Sequence, residues 1–286
     1  MAKIADLLAT GPTRSFEFFP PKTDEARRQL EKAVHELAPL QPSFVSVTYG
    51  ALGATREYTR DAVVRINDEQ PFPAMPHLTC VGHSRAQIGE LLDHYASNGI
   101  ENILALGGDP PADGSDPGGD FRFATDLVDV VRAHPANFCI GVAAHPEVHP
   151  RSPDRDTDRR LLADKLRLAD FAITQFSFLP DEQVRLRDEL AALGCTTPVI
   201  PSVFPVINVA GVQRMAAMNG SVIPPPLLAR LEAASSPEEV ASIGVDAATE
   251  ICAQLVDAEL PGLHLYPMNR SESVRRIYEN LGWSVG

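Results

Sequence analysis

The sequence predicts an α/β chain folded as one (β/α)8 barrel, a single domain over residues 1–286. Three observations carry that expectation. Eight apolar runs recur at intervals of roughly 35 residues with helical patterns between them. Most of the runs are continuous rather than alternating, as strands covered on both faces are. The glycine fingerprint of an open dinucleotide-binding sheet, G-x-G-x-x-G after an early strand, is absent, as are G-x-x-x-x-G-K-[ST] and H-E-x-x-H.

In order, the strands are expected over 16–19, 44–49, 76–80, 103–106, 138–144, 171–176, 198–204 and 263–266. A helix is expected over 24–37, where Ala26, Leu30, Val34 and Leu37 share one face and Thr23 caps the start. Ser84 caps a second over 85–97, which Asn98-Gly99 ends as a left-handed stop. Further helical patterns cover 161–168, 181–193, 209–218, 237–260 and 271–281. The connection between the seventh and eighth strands is the longest. It has room for two or three helices, with Pro224-Pro225-Pro226 between the first two. The segments 110–119 and 150–158 follow strands and are expected as mobile loops over the barrel mouth.

The 286 residues are 44% hydrophobic and 22% charged, an ordinary globular composition. A net charge of -13 without a basic block repels phosphate backbones and anionic membranes, so neither nucleic acid nor membrane is an expected partner. The first residues carry an early Asp and no long apolar core, and no run approaches the roughly 18 apolar residues of a membrane span. Cys80, Cys139, Cys195 and Cys252 are scattered, which suits reduced thiols. A cytoplasmic enzyme is the expectation.

Barrel enzymes carry their chemistry at the C-terminal ends of the strands. Glu17 stands there within Ser15-Phe16-Glu17-Phe18-Phe19, a carboxylate among phenylalanines. An apolar wall holds a carboxyl proton tightly, so a raised pKa and a general-acid role are expected. The other strand ends offer Thr48 and Tyr49, His77 and Thr79, Gly107-Gly108-Asp109, His145 to His149, Thr174-Gln175, and Asn269-Arg270. The glycines beside Asp109 would let a flat ligand approach the backbone. Two chemistries compete on these residues. His145, Glu147 and His149 alternate, as the ligands of a metal-dependent hydrolase would. Alternatively, Asp109 and Gln175 would hold the edge of a flat polar heterocycle during a proton-assisted transfer. A non-catalytic binding barrel is a third reading.

Seven motifs resemble one family. Ser15 to Pro21, Phe44 to Gly50, Pro76 to Cys80, Gly108-Asp109 with Pro110-Pro111, Pro146 to Pro150, Ile173 to Phe176 and Asn269-Arg270 are similar, in order, to methylenetetrahydrofolate reductase. The resemblance implies a barrel that reduces 5,10-methylenetetrahydrofolate to 5-methyltetrahydrofolate, with NADH or NADPH as hydride donor and FAD as the usual carrier. It implies Glu17 as the acid at N10, Asp109 and Gln175 as the pterin-binding pair with Asp109 also catalytic, and Arg270 near the glutamate tail. Thr48, His77 and His149 fall in motifs that line the flavin site, and homo-oligomers are common in the family.

Three positions depart from the family pattern. Gly107 stands where the family carries Arg, and His145 stands where it carries Tyr. The helix after strand five keeps Lys165 but has Asp164 near an expected base. Losing an Arg contact and gaining an Asp each weaken the hold on a pyrophosphate by roughly 1–3 kcal/mol. The reading is therefore an enzyme that binds flavin weakly or not at all and passes hydride directly from NAD(P)H. The alternative keeps FAD through Lys165 with Arg159 or Arg160.

Overall fold

In the computed structural model the described residues are 1–49, 56–108, 115–116 and 118–283. Eight parallel strands close into a TIM barrel in sequence order: β1 (Thr13–Phe18), β2 (Phe44–Val47), β3 (Ala74–Thr79), β4 (Asn102–Leu106), β5 (Cys139–Ala144), β6 (Phe171–Phe176), β7 (Val199–Val203) and β8 (Gly262–Leu265). Every expected strand is present, with ends moved by at most three residues. The helices α1 (Ile4–Thr10), α2 (Asp24–Leu37), α3 (Arg56–Glu69), α4 (Arg85–Ser97), α5 (Ala124–Ala133), α6 (Arg155–Leu166), α7 (Pro180–Ala192), α8 (Val209–Asn219), α9 (Pro225–Ala233), α10 (Pro237–Asp257) and α11 (Glu272–Asn280) complete the alternation. The long β7–β8 connection holds three of them. None of the described helices is long and apolar enough to cross a membrane.

The expected caps form. Thr23 Oγ1 accepts the Ala26 amide, Ser84 Oγ accepts that of Gln87, and Gly99 ends α4 at φ +69°. The segment 150–158 differs from expectation: α6 begins inside it, at Arg155, with the Asp154 carboxylate accepting the Thr157 amide at 2.7 Å. Asp158 then fastens the preceding turn, accepting the His149 amide and the Ser152 hydroxyl. Most of 110–119 lies outside the described residues.

Strand alternation sorts the side chains into two layers. Phe16 and Phe18 point outward and pack with Leu30, Val34 and Leu37 of α2. The Phe16 ring also meets Tyr278 of α11 edge-on at 5.9 Å. Inside, Phe44, Met75, Leu104, Cys139, Phe171, Ile173 and Ile200 fill the lower barrel. Gly141 is required there, since a Cβ would stand 2.6 Å from the Phe171 ring. Helix α1, unanticipated from sequence, plugs this floor with fully buried Ile4, whose amide is held by Asn102 Oδ1 at 2.8 Å. With the floor sealed by apolar side chains, the open end is the mouth at the C-terminal ends of the strands.

Candidate active site

Between floor and mouth lies a layer of buried polar side chains. Parallel pairing sets Ser15 of β1 opposite His264 of β8, Glu17 opposite Ser46 of β2, and Ser202 of β7 opposite His264. His264 is wholly buried and stacks on Phe44 at 6.0 Å. Its Nδ1 lies 2.7 Å from Ser15 Oγ. Its Nε2 lies 3.3 Å from both Ser46 Oγ and Glu17 Oε2. His77 Nε2, from β3, stands 3.3 Å from the same Glu17 oxygen.

The expected environment of Glu17 is therefore corrected. Its phenylalanine neighbours in sequence face the helices, and its neighbours in space are two imidazoles. Burial pushes the carboxyl upward, as expected, but the charge of His77 and the hydrogen bond to His264 outweigh it and bring the pKa down to about 2. Glu17 Oε2 is thus held between rings, and Oε1 makes no hydrogen bond among the described residues.

Around this carboxylate the mouth places the other candidates. Gln175 of β6 is half-buried, and its amide has no hydrogen-bond partner among the described residues. Thr48 follows β2, its amide donating to Phe18 O at 2.9 Å, and Thr79 Oγ1 at the end of β3 is buried and unpaired. Arg270 is exposed after β8, in a groove with Pro205, Ile207, Glu238, Tyr266 and Met268. Asp109 lies outside the described residues. Gly108 before it has φ +85°, and a Cβ there would strike Val81 at 2.4 Å. The glycine serves the turn against Val81 as well as any approach of a ligand.

The β5 end is arranged differently from the metal-ligand reading. The rings of His145 and His149 meet edge-on at 4.5 Å. Glu147 turns away from them, its Oε1 accepting Ser177 Oγ at 3.0 Å and the Val222 amide at 3.4 Å. Among the described residues no group of three His, Cys, Asp or Glu is placed to hold a metal ion. Burial, reinforced by the neighbouring His149, lowers the His145 pKa to about 3, and burial lowers that of His149 too, so both rings are neutral at pH 7.

The cations of α6 are engaged. Lys165 donates its ammonium to the Ala143 carbonyl at 2.6 Å, and burial of that group brings its pKa down to about 8. Arg159 bonds to Asp158 at 2.6 Å, to Glu189 at 2.7 Å and to the carbonyls of His145, Pro146 and Glu147. Arg160 and Arg151 remain exposed. His264, Ser15 and Ser46 escaped sequence reasoning. The one available signal was an imidazole in the middle of the apolar strand run 263–266.

A closed parallel barrel with a buried carboxylate at the C-terminal mouth defines an enzyme of the TIM-barrel class. The family model for methylenetetrahydrofolate reductase matches residues 3–282. The chain is 35% identical over 270 residues to 5,10-methylenetetrahydrofolate reductase of Pectobacterium carotovorum subsp. carotovorum, covering 94% of this chain and 89% of the relative. It is 34% identical over 274 residues to the Escherichia coli enzyme of that name, covering 95% and 91%. Against methylenetetrahydrofolate reductase (NADH) 1 of Arabidopsis thaliana the identity is 34%, covering 98% of this chain and 50% of the plant protein. In fold it resembles a Clostridium thermocellum protein described as binding two copies of 5-methyl-5,6,7,8-tetrahydrofolic acid, with a TM-score of 0.69, 13% identity and 96% of each chain covered. The chain belongs to the methylenetetrahydrofolate reductase family. It is accordingly an oxidoreductase, which sets aside the hydrolase reading.

Proposed function

We propose that this chain reduces 5,10-methylenetetrahydrofolate to 5-methyltetrahydrofolate with NADH or NADPH, that Glu17 supplies the proton that opens the five-membered ring, and that hydride passes directly from the nicotinamide to the folate. The observation that carries the reading is the placement of Glu17, a buried carboxylate near the C-terminal end of β1 whose Oε1 makes no hydrogen bond among the described residues. As N10 takes a proton from Glu17, the bond from N10 to the methylene breaks and its electron pair stays on N10. The methylene remains on N5 as an iminium, whose carbon accepts hydride. A carboxylate at position 109 and the amide of Gln175 suit the amidine edge of the pterin, and exposed Arg270 suits a glutamate carboxylate. Thr48, His77 and the neutral His145–His149 pair, at the ends of β2, β3 and β5, are the residues that would line the side left to the nicotinamide.

A bound flavin would supply a two-electron relay between nicotinamide and folate. The buried cations and imidazoles here do not fit its pyrophosphate, which leaves exposed Arg151 and Arg160 as the cations it could still meet. The Lys165 ammonium is spent on Ala143, Arg159 on an internal ion cluster, both imidazoles are neutral, and position 107 is glycine. These observations support direct transfer, which an iminium is electrophilic enough to accept.

Glu17→Gln tests the acid role. The amide fills the same space without a proton to give, so turnover falls by about 10²–10⁴-fold while folate affinity stays within about threefold. Near-normal turnover in that variant overturns the assignment.

A further inference from the structure

The hydrogen bonds around His264 can be counted proton by proton. Ser15 Oγ reaches both the Leu263 carbonyl at 3.2 Å and His264 Nδ1 at 2.7 Å; with the hydroxyl hydrogen on the carbonyl, the Nδ1 contact takes the ring's own proton. A neutral imidazole protonated at Nδ1 presents a lone pair at Nε2, and that lone pair would face Glu17 Oε2 at 3.3 Å. Two acceptors at that distance in a buried site repel each other unless a proton lies between them. Ser46 Oγ, also 3.3 Å from Nε2, has one hydrogen to offer, and His77 Nε2 at 3.3 Å meets the carboxylate oxygen but not the His264 ring, so neither puts a proton between Nε2 and Oε2.

We infer that His264 is a positioning residue that holds the ring-opening proton together with Glu17, the pair sharing one proton between Nε2 and Oε2, so that the acid stays charged with its proton at pH values where a lone carboxyl would have lost it. The inference rests on the proposed acid role of Glu17. It reconciles that role with the environment observed. The flanking imidazoles draw the Glu17 carboxyl down to about 2, which by itself would leave an ionised residue with nothing to donate. Counted as a pair, the site still carries the proton. When N10 takes it, the pair is left as a carboxylate and a neutral imidazole and recovers a proton from water after product departs, so no other reactant is consumed.

The surroundings are sparse in competing groups. β1 contributes Ser15 and Glu17, β2 contributes Ser46 and Phe44, and β7 contributes Ser202. Tyr266, beyond the end of β8, meets the His264 ring edge-on at 5.7 Å and keeps its phenol proton, since burial and the Glu17 charge raise its pKa well above 10. His77 is the other titratable group in the cluster and approaches Glu17 alone. The rings between the pair and the floor are apolar, so the proton returns from the mouth.

The test is the pH profile of steady-state turnover in the full-length enzyme, for wild type, His264→Gln, Ser15→Ala and Glu17→Gln. Gln at 264 donates to Oε2 from a similar place but releases no proton. Turnover is present below the deprotonation of the pair and lost as pH rises through it. In His264→Gln that alkaline limb moves to lower pH by about one unit or more, which costs about tenfold in kcat at pH 8 and much less at pH 6. Ser15→Ala, a small buried change, moves the limb in the same direction by a smaller amount and decides the matter if His264→Gln does not fold. A loss of equal size at every pH, or an unmoved limb in both variants, overturns the inference. Near-normal turnover in Glu17→Gln would instead overturn the acid role on which it rests.

Discussion

Asn269 grips the backbone of Phe19 at both ends. Its Oδ1 accepts the Phe19 amide at 2.8 Å, and its Nδ2 donates to the Phe19 carbonyl at 2.9 Å. One amide side chain thus extends the β1–β8 pairing past the end of the strands, between residues 250 apart. It joins the segment carrying Glu17 to the one carrying Arg270. To do so Asn269 adopts φ +55°, directly after Met268 at φ +55°. Asn tolerates that left-handed backbone better than most residues do.

Asn269→Ala loses both bonds, at about 1 kcal/mol each, and puts in the left-handed region a residue that tolerates it less well than Asn does, at up to about 1–2 kcal/mol more. The expected loss is about 2–4 kcal/mol in urea unfolding. Asn269→Gly loses the bonds without the strain and falls short of the Ala value by that difference. Equal losses in the two variants would contradict the backbone argument.

Arg159 is the keystone under the β5 end. Its guanidinium is 4% exposed and is shared among Asp158, Glu189 and three consecutive carbonyls, those of His145, Pro146 and Glu147. Replacing it with Leu strands a buried carboxylate, Asp158, and leaves the carbonyls unserved, which costs about 3–5 kcal/mol. Thermal and urea unfolding measure this. A change under 1 kcal/mol would show that water replaces the guanidinium.

Lys165 gives a pH signature of the opposite sign to that of an ion pair. Its folded pKa of about 8 lies below the ordinary 10.5, so the unfolded chain binds the proton more tightly. Wild-type stability therefore gains from this residue as pH rises from about 8 to 10.5, and the cost of burying the ammonium is fully present below 8. Measured against Lys165→Met, the wild type improves across that interval. The NAD(P)H KM of Lys165→Met stays within about twofold, because the ammonium serves Ala143. A KM raised tenfold or more would return Lys165 to the nucleotide.

Much of the architecture was legible because parallel strands buried on both faces must be continuously apolar, and eight such runs stand out. The strand ends then named Glu17, His77, Gln175 and Arg270 as mouth residues. What escaped depends on contacts far apart in sequence. His264 reads as one polar residue in an apolar run until the register places it beside Ser15 and Glu17. The same alternation misled the reading of Glu17, because Phe16 and Phe18 are its neighbours along the chain but lie on the other face of the sheet. Helix α1 was missed because a seven-residue segment with one fully buried side chain, Ile4, has too little periodicity to stand out. Arg159 reads as a cation available to FAD until Asp158 and Glu189 close on it.

The most direct measurement is anaerobic reduction of 5,10-methylenetetrahydrofolate by NADH and by NADPH, with and without added FAD, on purified protein whose flavin content is read from its visible spectrum. Direct hydride transfer predicts a colourless enzyme that forms 5-methyltetrahydrofolate with at least one of the two nucleotides at a rate unaffected by FAD. A yellow protein with stoichiometric flavin, or turnover that begins only when FAD is added, would contradict it.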